Sequence, residues 1–167
     1  MILTGAMFLA LHGVAQQLPY QDASRPVEQR VQDLLNRMTL EEKIAELNLV
    51  PYYASNDSAL RAGIRGGRIG AFLKANGAAL NHTLQEEALK HSRLGIPLMF
   101  HEDVIHGYRT LTPIPLAEAC SWDTALVRRS AETAAAEAAA SGIHLTYAPM
   151  VDISNDPRWG RIMETSG

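Results

Sequence analysis

The densest group of chemically capable side chains in this sequence lies at residues 101–109. It contains two imidazoles, two carboxylates and a guanidinium group, namely His101, His106, Glu102, Asp103 and Arg109. Their spacing leaves three uses open: a metal site, acid/base or nucleophilic chemistry by Glu102 or Asp103, and binding of sugar hydroxyls by a buried carboxylate. A fourth interpretation involves no ligand, because Arg109 could simply neutralise Asp103 within a loop.

A second polar group occupies residues 152–164. Its charged and aromatic members are Asp152, Asp156, Arg158, Trp159, Arg161 and Glu164. Asp156 followed by proline predicts a tight turn, and Arg161 carries a rigid fork of donors that suits neighbouring hydroxyls. Trp159 could stack on a ligand or close the end of a barrel, and Arg158 could pair with Asp152 or Asp156.

Apolar periodicity predicts the elements that position these two groups. Helices are predicted at 26–37, 40–47, 78–94 and 124–141, and strands at 67–73, 97–100 and 143–151. Residues 51–66 are predicted to be a loop. Thr39 and Glu42 form a capping-box signature, and Asp123 is a predicted N-cap.

Strands that alternate with helices imply parallel pairing through right-handed crossovers. In such α/β folds the chemistry lies beyond the C-terminal ends of the strands. Residues 101–103 follow the second predicted strand and residues 152–161 follow the third. Both polar groups are therefore expected at the same edge of the sheet.

The apolar residues 2–15 end in small side chains and are too short to span a bilayer, which takes ~20 residues. They predict an export signal cleaved after Ala15, although no Lys or Arg precedes them, and a buried first helix is the alternative. Residues 16–25 are predicted to be a disordered lead-in. The chain is therefore expected to be periplasmic or secreted, with no membrane partner.

Composition limits the remaining classes. The net charge is −3 and 47% of the residues are hydrophobic, which is typical of a globular domain and argues against a nucleic-acid partner. The single cysteine, Cys120, excludes a disulfide framework or a multi-thiolate metal site within this sequence. It is expected to be a small buried filler.

Three motifs, in order along the chain, resemble glycoside hydrolase family 3, especially its periplasmic β-glucosidase branch. They are Met-Thr-Leu-Glu-Glu-Lys-Ile at 38–44, Gly-Ile-Pro-Leu at 95–98 leading into Asp-Val-Ile-His-Gly-Tyr-Arg-Thr at 103–110, and Tyr-Ala-Pro-Met-Val-Asp-Ile at 147–153 followed by Asp-Pro-Arg-Trp-Gly-Arg at 156–161. The similarity runs from about residue 27 to the last residue.

The resemblance implies a partial (β/α)8 TIM-type barrel, in which N-terminal helices precede the first strands and helices. A complete barrel takes ~250 residues. Residues 26–167 are therefore interpreted as an incomplete N-terminal domain with about three strands, whose missing partner is the C-terminal part of the same chain.

The family's activity implies hydrolysis of terminal non-reducing β-D-glucosyl residues from β-glucosides with retention, without metal or cofactor. In the family, the residues that match Asp103, Arg109 and Arg161 bind the sugar of the −1 subsite. The nucleophile and the acid/base come from later segments, so no catalytic residue is expected in this sequence. Supporting positions are expected at Glu102, His106, Asp152, Arg158, Trp159 and Glu164.

Glu102 departs from the glucosidase pattern, in which a small or apolar residue is usual at that position. His-Glu-Asp at 101–103 lies between this pattern and that of the β-xylosidase branch, so a β-xylosidase is the alternative activity, although residues 105–109 favour a glucoside. Two other functions stay open: a non-catalytic carbohydrate-binding remnant, and a metal-dependent barrel lyase or hydrolase that uses His101, Glu102 and His106.

Overall fold

The computed structural model describes residues 17–166, which fall into two compact units. The first contains the described residues up to Met38, and the second begins at Thr39. The export signal predicted at 2–15 lies outside the described residues. No helix among residues 17–166 combines the length and the apolar character needed to cross a membrane.

In the first unit a short 3-10 turn, Pro19–Gln21, contacts helix α1, Val27–Arg37. Tyr20 is buried, and its backbone N–H donates to the Asp33 carboxylate (3.2 Å). The segment predicted to be a disordered lead-in, 16–25, therefore contains an ordered turn in its described part. The physical reason is the buried tyrosine, which ties the turn to the helix.

The second unit is built on a parallel sheet of four strands in the order β1-β2-β3-β4. The strands are β1 Leu49–Pro51, β2 Ala71–Leu73, β3 Met99–Glu102 and β4 Leu145–Thr146. Their order in space is their order along the chain, as in successive β/α units of a barrel. The predicted fold class, α/β with a partial (β/α)8 barrel preceded by helices, is confirmed.

Helices fill each connection between the strands. α2, Leu40–Ala45, precedes β1; α3, Asp57–Arg65, joins β1 to β2; α4, Ala78–His91, joins β2 to β3; and α5, Pro115–Ala119, with α6, Thr124–Ala140, joins β3 to β4. Two neighbouring parallel strands require such a crossover, because the end of the first strand and the start of the second lie at opposite edges of the sheet.

The core lies between the sheet and these helices. Phe72 of β2 and Phe100 of β3 are register partners, are 0% and 1% exposed, and stack with ring centroids 6.3 Å apart. Ile64, Leu84 and Ala138, one each from α3, α4 and α6, belong to the same cluster. Because strand side chains alternate, the neighbours of Phe100 in β3 point to the opposite face.

Three sequence predictions about the elements were wrong. Strand β1 was missed and helix α3 lies in the predicted loop at 51–66, so the sheet has four strands rather than about three. Pro51 made β1 look like a loop, and Gly63 weakened the helical pattern of α3. In the structure Gly63 is buried beside the Ile69 side chain, whose terminal methyl an added Cβ would meet at 2.8 Å. The strand predicted at 143–151 is much shorter than expected.

Local capping chemistry was predicted correctly. The Thr39 hydroxyl accepts the Glu42 backbone N–H (3.2 Å), and the Glu42 carboxylate accepts the Thr39 backbone N–H (2.9 Å). The Asp123 carboxylate accepts the N–H groups of the second and third residues after it, both at 2.9 Å. The expectation for Cys120 was wrong: its side chain is exposed at the end of α5 rather than buried.

Candidate functional site

Asp103 is the first residue after β3 and is exposed. Its Oδ1 accepts the backbone N–H of Ile105 (3.3 Å), which is the local bond that short acidic side chains make when a chain turns. The strand therefore ends in a turn that presents the Asp103 carboxylate at the C-terminal edge of the sheet, where such folds bind their ligands.

Glu102, the last residue of β3, is only 7% exposed. Its Oε1 accepts the backbone N–H of Asp103 (3.1 Å), whereas its Oε2 is buried and has no partner within residues 17–166. An ionised carboxylate is expensive to bury. The hydrogen bond from the Asp103 amide partly offsets this cost and attaches Glu102 to the backbone of Asp103.

His101 precedes Glu102 in the strand, and its side chain points to the opposite face. Its Nδ1 lies 2.7 Å from the Tyr147 hydroxyl, so the residue after β4 contacts the end of β3. Partial burial lowers the pKa of His101, with a further contribution from His144. Among the described residues no three His, Cys, Asp or Glu side chains are grouped to hold a metal ion, so His101, Glu102 and His106 do not form the ligand set considered above.

Arg161 lies in the segment after β4, just before the 3-10 turn Ile162–Glu164. Its Nε donates to both carboxylate oxygens of Glu164 (2.9 and 3.0 Å). The hydrogen bonds that Arg161 donates to Glu164 raise the pKa of Arg161, and the negative charges of Asp103 and Asp152 act in the same direction. The structure therefore brings Arg161 into the electrostatic field of Asp103, although the two belong to different motifs.

Arg109 is exposed, and its loop is attached to helix α6. Glu137 Oε2 accepts the backbone N–H groups of Arg109 (2.7 Å) and Thr110 (2.9 Å), and Glu137 Oε1 accepts the Thr110 hydroxyl (2.6 Å). The Thr110 hydroxyl and these amides lower the pKa of Glu137, and the positive charge of Arg109 adds to the effect. No ion pair joins Arg109 to Asp103 within residues 17–166.

The other predicted supporting residues have mostly local roles. Arg158 Nε donates to Asp156 at 2.9 and 3.1 Å, so of the two acidic partners considered it pairs with Asp156. Trp159 is 39% exposed. His106 is also exposed, and its backbone carbonyl accepts the N–H of Thr112 (2.9 Å), which closes the turn that leads into Arg109.

A cavity of about 290 Å³ lies beside these loops, between α6 and the residues that follow β4. Its walls are mostly apolar and include Val104, Ala134, Pro149 and Met150. Asp103, Arg109 and Arg161 do not line it. The cavity therefore borders the polar group without containing it.

Sequence reasoning missed Glu137 and the contact between His101 and Tyr147. Glu137 stands alone among alanines at 134–140, and an isolated carboxylate in an alanine-rich helix was a usable signal. Its partners could not be found from local spacing, because they lie on the far side of the connection between β3 and α6.

The model of the glycosyl hydrolase family 3 N-terminal domain matches residues 39–166. The chain is 43% identical over 138 residues to a periplasmic β-glucosidase of Salmonella typhimurium, covering 82% of this chain and 18% of the relative. It is 30% identical over 190 residues to a putative β-xylosidase of Formosa agariphila, covering 100% of this chain and 25% of the relative.

Solved structures give the same result. A β-glucosidase from Listeria innocua in complex with glucose is 42% identical, with a TM-score of 0.74 over 84% of this chain and 21% of that protein. A variant of the same enzyme in complex with laminaribiose has a TM-score of 0.73. The chain thus spans a quarter or less of the length of these relatives.

Proposed function

Because this chain belongs to glycoside hydrolase family 3, we propose that the protein hydrolyses terminal β-D-glucosyl residues from β-glucosides. Within that protein, this chain supplies sugar-binding groups at the C-terminal edge of the sheet. The observation that supports the proposal most directly is that Asp103 follows β3 and Arg161 lies in the segment after β4, the parallel neighbour of β3. An acceptor and a donor from two different connections can then serve the hydroxyls of one sugar.

The two groups suit this task chemically. An exposed carboxylate at Asp103 can accept hydrogen bonds from two sugar hydroxyls, each charge-assisted and contributing ~1.5–3 kcal/mol. Glu164 holds one side of the Arg161 fork, and the remaining N–H groups of a guanidinium, which has five, can donate to a ligand. Arg109 is proposed as a third contact, carried by the loop that is attached to α6.

The proposed reaction is double displacement with retention. A carboxylate attacks the anomeric carbon, a glycosyl-enzyme intermediate forms, and water then releases the sugar with its original configuration. The nucleophile and the acid/base are expected outside this sequence. The residues here would contribute by holding hydroxyls in contacts that tighten as the oxocarbenium-like transition state develops.

A β-xylosidase is the second candidate. It is favoured by the similarity to a putative β-xylosidase and by the buried Glu102, which directly precedes Asp103 at a position where the glucosidase pattern has a small or apolar residue. The identity of 43% to a periplasmic β-glucosidase supports the glucoside as the first candidate. The ratio of kcat/KM for the 4-nitrophenyl β-glucoside and β-xyloside discriminates the two.

The name of the periplasmic β-glucosidase that is 43% identical to this chain supports a periplasmic or secreted location. Cell fractionation would test that location.

The activity itself is tested with the complete gene product and 4-nitrophenyl β-D-glucoside. We expect turnover, with β-glucose as the first anomer seen by NMR. Asp103→Asn is expected to lower kcat/KM about 10²-fold or more, since it removes charge from two hydrogen bonds of ~1.5–3 kcal/mol each. The substitution Asp22→Asn, in the first compact unit, serves as the control. A wild-type protein without glycosidase activity, or one that releases α-glucose first, would contradict the proposal.

A further inference from the structure

We propose that Glu137 is a positioning residue for substrate binding, which acts by fixing the loop that presents Arg109. This inference rests on the proposed function, because it assigns a purpose to the position of Arg109. Glu137 belongs to helix α6 rather than to either polar motif, and nothing in the local sequence around it points to a ligand.

The contact consists of three hydrogen bonds to one carboxylate. Two of the donors are successive backbone amides, those of Arg109 and Thr110, and the third is the Thr110 hydroxyl. The three lengths lie between 2.6 and 2.9 Å, which is the range of charge-assisted bonds. A carboxylate in this arrangement holds the backbone on both sides of the Arg109 Cα atom.

The loop needs an external support because its own conformation is unusual. Gly107 has φ +97°, and a Cβ at this position would lie 2.0 Å from the Thr110 carbonyl oxygen. The chain therefore doubles back tightly just before Arg109. Without Glu137, two amides of this turn would lose their acceptor, which carries a free-energy penalty when water does not replace it.

Helix α6 is anchored in the core close to Glu137. Ala134 and Ala138, one turn before Glu137 and one residue after it, are 5% and 1% exposed and belong to the core cluster. These two alanines are the buried residues of α6, so this part of the helix is attached to the core. Glu137 lies between them in the sequence and fixes the Arg109 backbone relative to the core.

Charge gives the carboxylate a second role in the same place. Arg109 lies near enough to Glu137 to contribute to its lowered pKa. The carboxylate thus stays ionised at neutral pH and attracts the guanidinium of the residue whose backbone it holds. Glutamine would keep the acceptor oxygen for the two amides but would remove this charge.

The experiment compares Glu137→Ala, Glu137→Gln and the matched control Glu132→Ala, all in the complete gene product. Glu132 is an exposed carboxylate on the same helix. The first measurement is hydrogen exchange of a peptide covering residues 105–112. Glu137→Ala is expected to speed exchange of the Arg109 and Thr110 amides strongly and Glu137→Gln to speed it slightly, while Glu132→Ala leaves it unchanged.

The second measurement is steady-state hydrolysis of the aryl β-glucoside. Glu137→Ala is expected to lower kcat/KM about 10²-fold, mainly through KM, as misplacement of a binding group by an ångström can do. Glu137→Gln should recover most of that loss. If Glu137→Ala does not fold, Glu137→Asp decides, because it keeps the charge but withdraws the carboxylate from the two amides by one methylene group. Unchanged exchange of the two amides together with an unchanged KM would then overturn the inference.

The two proposals fail in different ways. A wild-type protein without glycosidase activity would remove the proposed function, whereas the exchange result would still report whether Glu137 holds the loop. An active wild-type protein whose Glu137→Ala variant keeps the normal KM and normal exchange would overturn the role of Glu137 alone.

Discussion

The connection after β3 and the segment after β4 carry the two halves of the candidate site, and they are held in different ways. The first is tied to a distant element, because the backbone amides of Arg109 and Thr110 donate to Glu137 of α6. In the second, the hydrogen bonds described for residues 152–166 join residues at most three positions apart.

This difference has a functional meaning. Long-range bonds place the connection after β3 relative to the core, so its binding groups are pre-organised before a ligand arrives. The segment after β4 keeps its shape through local pairs while Val151 and Ile153 remain 86% and 77% exposed. The end of the segment is positioned by packing rather than by long-range hydrogen bonds, since the 3-10 turn Ile162–Glu164 contacts α5 and Thr165 is fully buried. Substitutions in the two regions should therefore have different consequences.

Two glycines provide the strongest test of this comparison. Gly107→Ala introduces a Cβ that would lie 2.0 Å from a backbone oxygen, at φ +97°, whereas a Cβ at Gly160 has nothing within 4 Å. A left-handed backbone alone costs an L-residue roughly 1–2 kcal/mol. We expect Gly107→Ala to lower the free energy of unfolding by about 2 kcal/mol or more, since the steric clash adds to that strain.

Gly160→Ala, by contrast, should change the free energy of unfolding by less than about 0.5 kcal/mol. Chemical denaturation of the complete gene product measures both variants, and aryl-glucoside kinetics show whether the loss at Gly107 extends to KM. Equal stability of the two variants would mean that the connection after β3 is not the more tightly determined region.

Two arginines of the second region provide the next test. Arg158 and Arg161 are both exposed and both pair with a nearby carboxylate, but only Arg161 has its pKa raised by Asp103 in addition to its local partner. Arg161→Ala should lower kcat/KM about tenfold or more, the effect of losing one charge-assisted hydrogen bond. Arg158→Ala should change it little.

The measurement is the steady-state kcat and KM of both arginine variants with the aryl β-glucoside. A larger loss for Arg158→Ala would mean that the segment binds the sugar in another orientation. Equal and small losses would mean that this segment does not contact the sugar.

The elements that could be predicted from the sequence are those set by local chemistry. The capping box at Thr39, the N-cap at Asp123 and the helical periodicity of α4 and α6 depend on neighbours a few residues away. Helix α3 was missed because Gly63 weakens the helical pattern, whereas in the folded chain Gly63 and Ile64 form the buried face of the helix. That burial comes from packing, which periodicity does not contain.

The candidate site divides in the same way. The expectation that Asp103 and Arg161 approach each other followed from the rule that parallel strands end at a common edge. The partner of Arg109 did not follow from it, since Glu137 lies on a helix in the connection between the two strands. The pairing expected between Arg109 and Asp103 as a structural alternative is replaced by this contact with α6.

Protonation of Glu137 at acid pH is expected to give the smallest effect of the changes considered, and it tests whether this carboxylate anchors the connection after β3. The Thr110 hydroxyl and the two amides lower the folded-state pKa of Glu137. The contribution of this carboxylate to the free energy of unfolding is therefore fully present above its unfolded pKa of ~4.3. It is lost as the pH falls through the lower folded-state pKa. The amide of Thr110 should therefore keep its chemical shift from neutral pH to about pH 4.3 and move only below it. Selective threonine labelling in the complete gene product makes the signal observable, and Glu137→Gln should abolish the step. A step at ordinary glutamate pH would mean that the carboxylate is not held by these donors, and that the connection after β3 is no better anchored than the segment after β4.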